Sequence, residues 1–551
     1  MTINKDQGIL QALNEWINIV GIDRVITSEE LKTYTVDTDI VSRNIPAVVK
    51  PSSPDQIPSI VKVANCHKIA IYPISTGKNW GYGSGLPPTE DTVILDLSDL
   101  RKIVDFDTEL GTVTIQPGVT QQDLRDYLDK NNLPFLVPTT GSSPNCSLMG
   151  NALERGYGST PIADHFEAIM SLKAVLPNGD IYISPLREMG GKLIHKGYKW
   201  GFGPYIDGLF SQGAFGIVTE VTLSLSRQPE IVEAFYFWVD DKATLESTFI
   251  SIQEILRTLG DITGSINLLN SLRLLSMSVP YPTNIPSGET LSNNQILQLA
   301  AGRNFPLWMG IGTLYGSRPI INAARNVIKN LLKPISKRVL FMTKQRAQRL
   351  QKIFLLTPSN WAKKQVSALK LVEQALMIME GRPSEISLSL AYWKSGQRPD
   401  SGSLNPASDG CGLIWYAPLV PMKPKDIPHY IKNVEDICRQ YGLEPLITLT
   451  CHSHRCLDST VPLLFNPKIP REVERAHACY KALVSMGKEE GWIPYRIGIN
   501  FRQELIDPNQ PFWNLVTKLK TAVDPNHIIA PGRYALTKEE LGYQLKAGQE
   551  K

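Results

Sequence analysis

The sequence lacks several features that would assign it to a specialised class of protein. Its net charge is only +4 over 551 residues, which gives no excess of Lys and Arg for neutralising a nucleic-acid backbone. It has no uncharged apolar run long enough to span a bilayer. Its seven cysteines are an odd, scattered set that does not indicate a disulfide framework. The N-terminal segment also lacks a basic region followed by an apolar stretch, so we expect a cytoplasmic protein that binds neither nucleic acid nor membranes.

The first part of the chain alternates between strand and helix patterns. A helix is predicted over residues 8–20, and strands at 47–51, 69–73 and 92–97 accompany a helix at 57–64. Further strands follow in a hairpin with Gly111 in its turn, in a pair joined by Asn178–Gly179, and at 216–225. Mixed patterns of this kind predict an α+β fold.

After residue 226 the pattern changes, because long helices are predicted near 245–259, 318–333 and 425–441. Strands are predicted at Phe235–Val239 and Glu385–Tyr392. Since the C-terminal residues resemble the first part again, we predict one discontinuous domain wrapped around an inserted one. The predicted boundaries are 1–226 for its first part, 227–494 for the inserted domain, and 495–551 for the return.

A glycine-rich loop, TGKNWGYGSG, directly follows the apolar strand at 69–73. Glycines allow backbone N–H groups to approach a ligand closely, and such a loop can hold a pyrophosphate. It is neither a Walker motif, since Lys78 is not followed by Ser or Thr, nor a dinucleotide fingerprint that opens a helix. A tight turn that binds no ligand would use the same residues. Other segments of the chain must therefore show whether this loop binds a ligand.

Three further segments support a ligand: GNALERGYGSTPIADHF at 150–166, YKWGFGPYIDGLFSQGAFGIVTEVTL at 198–223 and DPNHIIAPGRY at 524–534. Together with the glycine loop they resemble flavoproteins of the vanillyl-alcohol oxidase and para-cresol methylhydroxylase family, over about 40–225 and 410–536. The resemblance implies a two-part FAD-binding domain with an antiparallel-sheet cap over the flavin ring. The FAD contacts it implies are Ser75, Thr76, Gly77, Lys78, Asn79, Trp80, Gly81, Gly83, Ser143, Gly150, Asn151, Glu154, Gly156, Tyr157, Gly216, Ile217, Val218, Tyr416 and Arg533.

The resemblance also implies a substrate site in which two tyrosines and an arginine hold a phenol as its phenolate. The matching residues are Tyr82 in NWGYGSG and the pair Tyr495–Arg496 in IPYRIG. A cation and phenolic donors lower the pKa of a bound phenol, and fixed donors meet the charge that develops. Relatives often place an Asp just before the second glycine-rich segment, whereas this chain has no carboxylate there before Glu154. Glu154 itself is expected to form a structural ion pair with Arg155.

Covalent attachment of FAD in relatives uses a His or a Tyr on a cap-domain strand. The corresponding segment here, DGCGLIWYAPLVP at 409–421, contains no His. Tyr416 is a possible attachment point and Cys411 a more remote one. The default expectation is therefore FAD held without a covalent bond.

The segment ITLTCHSHRC alternates like a strand, which would place His452, His454 and Cys456 on one face. Three such residues could bind zinc, but no fourth ligand is evident and no metal is predicted. The resemblance places this strand near the flavin, so His452 or His454 is a candidate base, and half-buried structural histidines are the alternative. Asp458 and Trp415 are weaker candidates on the cap.

The predicted activity is hydride transfer from a small molecule, with a para-substituted phenol favoured by the Tyr–Tyr–Arg set. Oxidation of a hydroxy acid or sugar alcohol, with Arg496 holding a carboxylate, is the first alternative. The second is a flavin electron-transfer subunit without turnover, docked through the basic stretch at 337–352, which otherwise is a solvated helical face. Oxygen or a cytochrome-like protein is the expected electron acceptor, and the resemblance suggests a homodimer.

Overall fold

A computed structural model describes residues 5–303, 305–357, 359–395, 397–400, 402–537 and 540. Helices and three β-sheets are mixed along the chain, so the predicted α+β class is confirmed. No helix in these ranges is both long and apolar enough to cross a bilayer. The α-helices are α1 (Lys5–Val20), α2 (Ile57–His67), α3 (Gln121–Lys130), α4 (Leu148–Leu153), α5 (Pro185–Glu188), α6 (Ile194–Gly197), α7 (Leu245–Leu259), α8 (Ser271–Ser276), α9 (Asn293–Ala301), α10 (Arg318–Leu332), α11 (Lys344–Leu355), α12 (Asn360–Met379), α13 (Ile427–Gln440), α14 (Pro470–Glu490) and α15 (Pro511–Val523).

The first sheet has four strands in the order β1-β2-β4-β3, with β2 and β3 parallel to β4. Helices α1 and α2 pack together on it, and the indole N–H of Trp16 donates to the carbonyl of Ile60 at 3.1 Å. The predicted strands and helices of this region are all present. The strands are β1 (Val25–Ile26), β2 (Val48–Val49), β3 (Ile71–Ile74) and β4 (Val93–Asp96).

Residues near the C-terminus complete this first sheet region. Ile529 forms a parallel bridge with Ile71 of β3. The ammonium of Lys520 is buried, and it donates to the carboxylate of Asp524 at 2.7 Å and to the carbonyls of Ile529 and Ala214. Residues near 520–529 therefore contact the first part of the chain, while the division into domains at 226 and 495 stays a prediction.

The second sheet is antiparallel, with strand order β5-β6-β9-β7-β8. Gly111 turns the predicted hairpin at a φ of +66°, and Gly179 turns the next at +86°, a backbone conformation that glycine adopts without strain. The strands are β5 (Ile103–Asp107), β6 (Thr112–Ile115), β7 (Ile169–Val175), β8 (Ile181–Ile183) and β9 (Ile217–Ser224).

The third sheet, here called the cap sheet, has eight strands in the order β13-β10-β12-β11-β16-β17-β14, with β15 on β17. Its neighbouring strands are antiparallel throughout. The predicted helices near 245–259, 318–333 and 425–441 are present as α7, α10 and α13. The strands are β10 (Ile231–Val239), β11 (Ile266–Asn270), β12 (Trp308–Gly316), β13 (Val339–Met342), β14 (Gly412–Tyr416), β15 (Leu419–Pro421), β16 (Thr448–Cys451) and β17 (Cys456–Phe465).

The two faces of the cap sheet differ because side chains alternate along each strand. One face packs into a large apolar core, with Phe235, Leu268 and Leu449 among its members. The other face lines a cavity. One row of cross-strand neighbours on the cavity face changes from polar to apolar: Asp458, Thr450, Asn267, Ile311, Tyr236 and Leu340.

Three local predictions were wrong or incomplete. Residues Ile386–Tyr392 form a 3-10 helix rather than a strand, and the hydroxyl of Ser389 donates to the carbonyl of Ile386 within it at 2.8 Å. The strand predicted through CHSHRC ends at Cys451, because the side chain of Ser453 accepts the N–H groups of Arg455 and Cys456 in a hairpin turn. The basic stretch at 337–352 contains strand β13 before helix α11 begins.

Candidate active site

One cavity of about 1420 Å³ lies between the cavity face of the cap sheet and the loops of the first two sheets. Pockets for one drug-sized ligand measure about 300–1,000 Å³, so this cavity has room for a cofactor and a substrate together. On the side opposite the cap, its wall consists largely of small and polar residues. These include Ser75, Thr76, Gly77, Lys78, Asn79, Gly150, Asn151, Gly156, Gly216 and Val218.

The glycine loop divides into a part that lines the cavity and a part that packs against the cap. Gly77 has a φ of +65° and lines the cavity with its neighbours through Trp80. Gly81 and Gly83 do not line it, which corrects their prediction as FAD contacts. A Cβ on Gly81 would lie 2.2 Å from Cδ1 of Trp415, and one on Gly83 would lie 2.7 Å from Cγ1 of Ile499. Gly81 instead allows the chain to approach Trp415 of the cap closely, and Gly83 allows it to approach Ile499 in the segment that follows the cap.

Replacing Gly81 by alanine is expected to lower the free energy of unfolding more than the same change at Gly190. Both positions have a left-handed φ, +78° and +88°, and so share a backbone cost of about 1–2 kcal/mol. Only Gly81 has an obstructing neighbour, while nothing lies within 4 Å of a Cβ on Gly190. Overpacking against Trp415 should lower the free energy of unfolding of the Gly81 variant by about 1–3 kcal/mol more than that of the Gly190 variant. Urea denaturation of both variants measures this difference. Equal destabilisation of the two variants would contradict this role for the contact with Trp415.

The second glycine-rich segment, residues 150–166, is held to the rest of the small, polar wall by short polar contacts. Gly150 approaches the loop so closely that a Cβ there would lie 2.5 Å from the hydroxyl of Ser75. The carboxylate of Glu154 accepts from Arg533 at 2.8 Å and from the hydroxyl of Tyr534 at 3.0 Å. The expected pair with Arg155 was wrong, because the Nε of that arginine donates to the hydroxyl of Ser211 at 2.8 Å.

Glu154 is ionised despite its burial. Burial alone would raise the pKa of this carboxyl, but Arg533 and Arg496 outweigh it and hold the pKa below its ordinary value. The wall therefore presents a neutralised carboxylate together with glycine backbone and hydroxyl donors. This donor set fits the pyrophosphate of FAD, which needs N–H and O–H groups close to the backbone.

Three residues predicted as FAD contacts lie elsewhere. Ile217 is in the apolar core under the first sheet. Ser143 is fully buried, and its hydroxyl donates to the carboxylate of Glu385 at 3.3 Å. Tyr416 points into the core of the cap, where its ring lies 6.2 Å from that of Tyr480, so it cannot be the attachment point for a cofactor in the cavity. Cys411 is likewise buried in a separate apolar cluster.

Tyr82, Tyr495 and Arg496 all line the cavity, while their role in binding a substrate stays a prediction. The guanidinium of Arg496 lies 4.4 Å from the ring centroid of Tyr82, and it donates to the side-chain carbonyl of Asn79 at 2.6 Å. Its Nε has no hydrogen-bond partner among the described residues. Burial raises the pKa of both tyrosines, so their hydroxyls stay protonated at neutral pH. The cluster therefore offers two O–H donors and a cation to an anionic oxygen.

The two candidate histidines both lie in the hairpin turn between β16 and β17, but only one of them lines the cavity. His452 lines the cavity, and its ring stacks on that of Tyr157 with centroids 4.1 Å apart. Burial lowers the pKa of His452 to about 4, so the imidazole is neutral at pH 7. His454 does not line the cavity, and its backbone carbonyl accepts from Gln253 at 2.9 Å. No cluster of three or more His, Cys, Asp or Glu in the described ranges could hold a metal ion.

Asp458 is the titratable group that sequence reasoning ranked too low. It is 4% exposed, lines the cavity from strand β17, and its Oδ1 has no hydrogen-bond partner among the described residues. Burial raises the pKa of this carboxyl to about 7, although Arg496 opposes the shift. The polar alternation of Asp458 and Thr460 along β17 was the available signal.

A further arginine on the cavity wall, Arg273, was not among the predicted site residues. It is 8% exposed and lies at the start of helix α8, beside strand β16. The apolar helix in which it occurs gave no sign of a ligand. Gln212 was missed in the same way, and its side chain donates to the carbonyl of Tyr495 at 2.9 Å.

Comparisons with known proteins agree with this geometry. A family model described as an FAD binding domain matches residues 45–183. The chain is 32% identical over 532 residues to the 1'-carboxy-chondrochloren decarboxylase of Chondromyces crocatus, with 96% of this chain and 97% of that protein covered. It is 26% identical to the flavoprotein subunit of 4-cresol dehydrogenase [hydroxylating] of Pseudomonas putida, with 95% of each covered.

Solved structures show the same similarity. The structure of p-cresol methylhydroxylase with substrate bound has a TM-score of 0.84 at 25% identity, with 98% of each chain covered. The 4-ethylphenol oxidase of Gulosibacter chungangensis, in its isoeugenol complex, has a TM-score of 0.85 at 20% identity, with 97% of this chain and 98% of that chain covered. The latter similarity concerns the fold.

Proposed function

The chain belongs to the FAD-linked flavoprotein family of para-cresol methylhydroxylase and vanillyl-alcohol oxidase, and from this we propose that it oxidises para-substituted phenols. As a member of the family it is an FAD-dependent oxidoreductase. The substrate class is the new element of the proposal. The observation that carries it is the cluster of Tyr82, Tyr495 and Arg496 on the cavity wall.

This cluster suits a phenolate better than a neutral alcohol. Arg496 has an unpartnered Nε, and the hydroxyls of Tyr82 and Tyr495 remain protonated beside it. Two donors and a cation fixed in a buried site lower the pKa of a bound phenol. The phenolate oxygen then pushes electron density toward the para carbon, which makes the benzylic hydrogen easier to remove as hydride.

Asp458 is the proposed general base for the phenolic proton. The described part of the cavity lining contains only two carboxylates, and Glu154 already accepts from Arg533 and Tyr534. Asp458 has a free Oδ1 and a pKa of about 7, which suits proton transfer near neutral pH. His452 is neutral and positions Tyr157 through their ring stacking.

FAD, when bound, supplies the acceptor for a hydride. The residues proposed to hold it are those of the small, polar wall, with Arg533 keeping Glu154 ionised. Because Tyr416 is turned into the cap core, we expect FAD to be held without a covalent bond at that residue. Oxygen or a cytochrome-like protein is the proposed electron acceptor, and a homodimer is proposed from the family alone.

The test is anaerobic mixing of the FAD-loaded protein with 4-alkylphenols and 4-hydroxybenzyl alcohols while the visible absorption of the flavin is followed. We expect rapid bleaching with phenols and none with the corresponding 4-methoxybenzene compounds, which cannot form a phenolate. Rapid recovery of the flavin absorption when air is readmitted would identify an oxidase. Slow recovery would identify a dehydrogenase. Bleaching by hydroxy acids or sugar alcohols, with none by phenols, would contradict the proposal. Flavin that no small donor reduces would favour an electron-transfer subunit.

A second candidate is oxidative decarboxylation of a para-substituted phenol. The support is the relative named as a decarboxylase and the buried guanidinium of Arg273 in the cavity, whose Nη1 has no hydrogen-bond partner among the described residues. A phenol that has lost its phenolic proton and a benzylic hydride is a quinone methide. If its side chain bears a carboxylate on the next carbon, the carbon–carboxylate bond can break. Its electron pair forms the side-chain double bond, CO2 leaves, and the ring regains its aromatic phenolate.

A further inference from the structure

Arg273 is a fixed cation on the cap side of the cavity. Its backbone N–H donates to the side-chain carbonyl of Asn270 at 2.9 Å, and the amide of Asn270 donates to the carbonyl of Pro445 at 2.7 Å. The Nε of Arg273 donates to the hydroxyl oxygen of Thr448 at 3.1 Å. Its guanidinium carbon lies 5.9 Å from the ring centroid of Trp415. These contacts hold the guanidinium where it lines the cavity.

Among the described residues, no acidic side chain forms an ion pair with this charge. The Nη1 of Arg273 has no hydrogen-bond partner among the described residues, although the side chain is more than nine-tenths buried. Burial lowers the pKa of Arg273 to about 10, and no carboxylate contributes to the shift. The group remains protonated at neutral pH, and an unpaired buried charge costs several kcal/mol. Arg533, by contrast, has its partner Glu154 in the structure.

The surroundings of Arg273 contain a second donor. Thr448 accepts from Arg273, so the hydrogen of its hydroxyl is available to a ligand. Thr448 lies two residues from Thr450 on β16, about 7 Å along the strand, and Thr450 is the cross-strand neighbour of Asp458. The cation is therefore on the same cap wall as the proposed base, opposite the small, polar wall. An anion held by Arg273 would belong to the substrate rather than to the pyrophosphate of FAD.

We propose that Arg273 and Thr448 bind a carboxylate on the para side chain of the phenol. The preferred substrates are then 4-hydroxyphenyl compounds with an acidic side chain, of the type of 3-(4-hydroxyphenyl)propanoate. This inference rests on the proposed function, since it assumes that the phenol ring lies beside Arg496. Arginine is suited to the role because a guanidinium and a carboxylate form strong charge-assisted hydrogen bonds. Arg496 would hold the phenolic end of the substrate and Arg273 its carboxylate end.

The test compares 3-(4-hydroxyphenyl)propanoate with its amide, which has the same shape but no charge. Kd and the rate of anaerobic flavin reduction are measured for the wild type, Arg273→Gln and Arg273→Lys. We expect the wild type to bind the acid at least about tenfold more tightly than the amide. Arg273→Gln is expected to raise the Kd for the acid about 10- to 100-fold and that for the amide less than about threefold. Arg273→Lys keeps the positive charge but lacks the planar guanidinium. Its Kd for the acid is expected to lie between those of the wild type and Arg273→Gln.

The matched control is Arg303→Gln, since Arg303 also lines the cavity but is exposed. It should change the Kd for the acid less than about twofold, because an exposed cation is screened. Three results would overturn the inference: no preference of the wild type for the acid, an equal effect of Arg273→Gln on acid and amide, or loss of FAD from both Arg273 variants. The last would make Arg273 a cofactor contact.

A separate ligand distinguishes this inference from the phenol proposal. 3-Phenylpropanoate has the carboxylate but no phenol, and its binding is followed by the perturbation of the flavin spectrum. If phenols fail to reduce the flavin while 3-phenylpropanoate binds more tightly than its amide in an Arg273-dependent manner, the phenol proposal fails and the carboxylate site stands. If phenols reduce the flavin without any preference for an acidic side chain, the phenol proposal stands and the carboxylate site fails.

Discussion

Replacing Arg496 by glutamine is expected to slow anaerobic flavin reduction by 4-alkylphenols by about 10²- to 10³-fold, the usual effect of removing one fixed donor at a developing charge. The guanidinium of Arg496 lies 4.4 Å from the ring of Tyr82, and burial keeps the hydroxyls of Tyr82 and Tyr495 protonated. Without the cation, both tyrosines can still donate, but the bound phenol keeps its proton to a higher pH. The loss should therefore shrink as the pH approaches the pKa of the free phenol.

The measurement that isolates this effect is the absorption spectrum of bound 4-nitrophenol, whose phenol and phenolate forms differ in colour. The wild type is expected to lower the pKa of the bound probe, and Arg496→Gln to return it toward the value in water. Arg455→Gln, in the exposed hairpin turn, is the matched control and should leave the spectrum unchanged. An unchanged probe pKa in Arg496→Gln, with flavin reduction slowed, would exclude phenolate stabilisation as the role of Arg496.

Replacing Asp458 by asparagine is expected to slow flavin reduction at pH 7.5 by about 10²- to 10⁴-fold, the range for losing a general base. Its pKa of about 7 predicts that kcat/KM of the wild type rises with pH and levels off above 7. In Asp458→Asn this limb should disappear. Phenols with electron-withdrawing ring substituents, which lose their proton more readily, should recover part of the rate. If kcat/KM of Asp458→Asn still rises with pH near 7, the titrating group would be another residue.

The same carboxyl links pH to the stability of the folded state. Its pKa is raised from 3.8 to about 7, so the fold favours the protonated acid. The stability from this preference is fully present below pH 3.8 and is lost as the pH rises through 7. Asp458→Asn should therefore unfold at a higher temperature than the wild type at pH 8, and the difference should shrink as the pH falls toward 4. Calorimetry at a series of pH values from 4 to 8 measures the unfolding temperatures of the wild type and Asp458→Asn.

Sequence reasoning selected residues that line the cavity where these residues belong to local motifs. Tyr82 lies within the glycine loop and Arg496 directly follows Tyr495, so their residue types and order could be read from the sequence. Gly81 was assigned to the cofactor because its contact with Trp415 joins residues far apart in the chain. Sequence shows that a glycine is needed at such a position, but not which neighbour requires it.

The remaining errors concern the direction in which side chains point. Tyr416 and Trp415 are adjacent on β14, and a shift of one residue decides which of them faces the cavity. The same uncertainty hid Asp458, since both faces of β17 carry polar residues near its start. Strand pairing resolves this, because the cross-strand neighbour of Asp458 is Thr450 on the cavity face. Such pairing joins distant parts of the chain and cannot be read from local patterns.

The ion pair between Glu154 and Arg533 has a consequence for how the protein is made. Its two residues are 379 positions apart in the chain. At about 5–20 residues per second on the ribosome, Arg533 follows Glu154 by roughly 20–80 s over that separation. During this interval the wall around Glu154 has an uncompensated carboxylate, and Ile71 lacks its bridge to Ile529. We therefore expect the small, polar wall to be complete, and able to hold FAD, only after the whole cap has been synthesised.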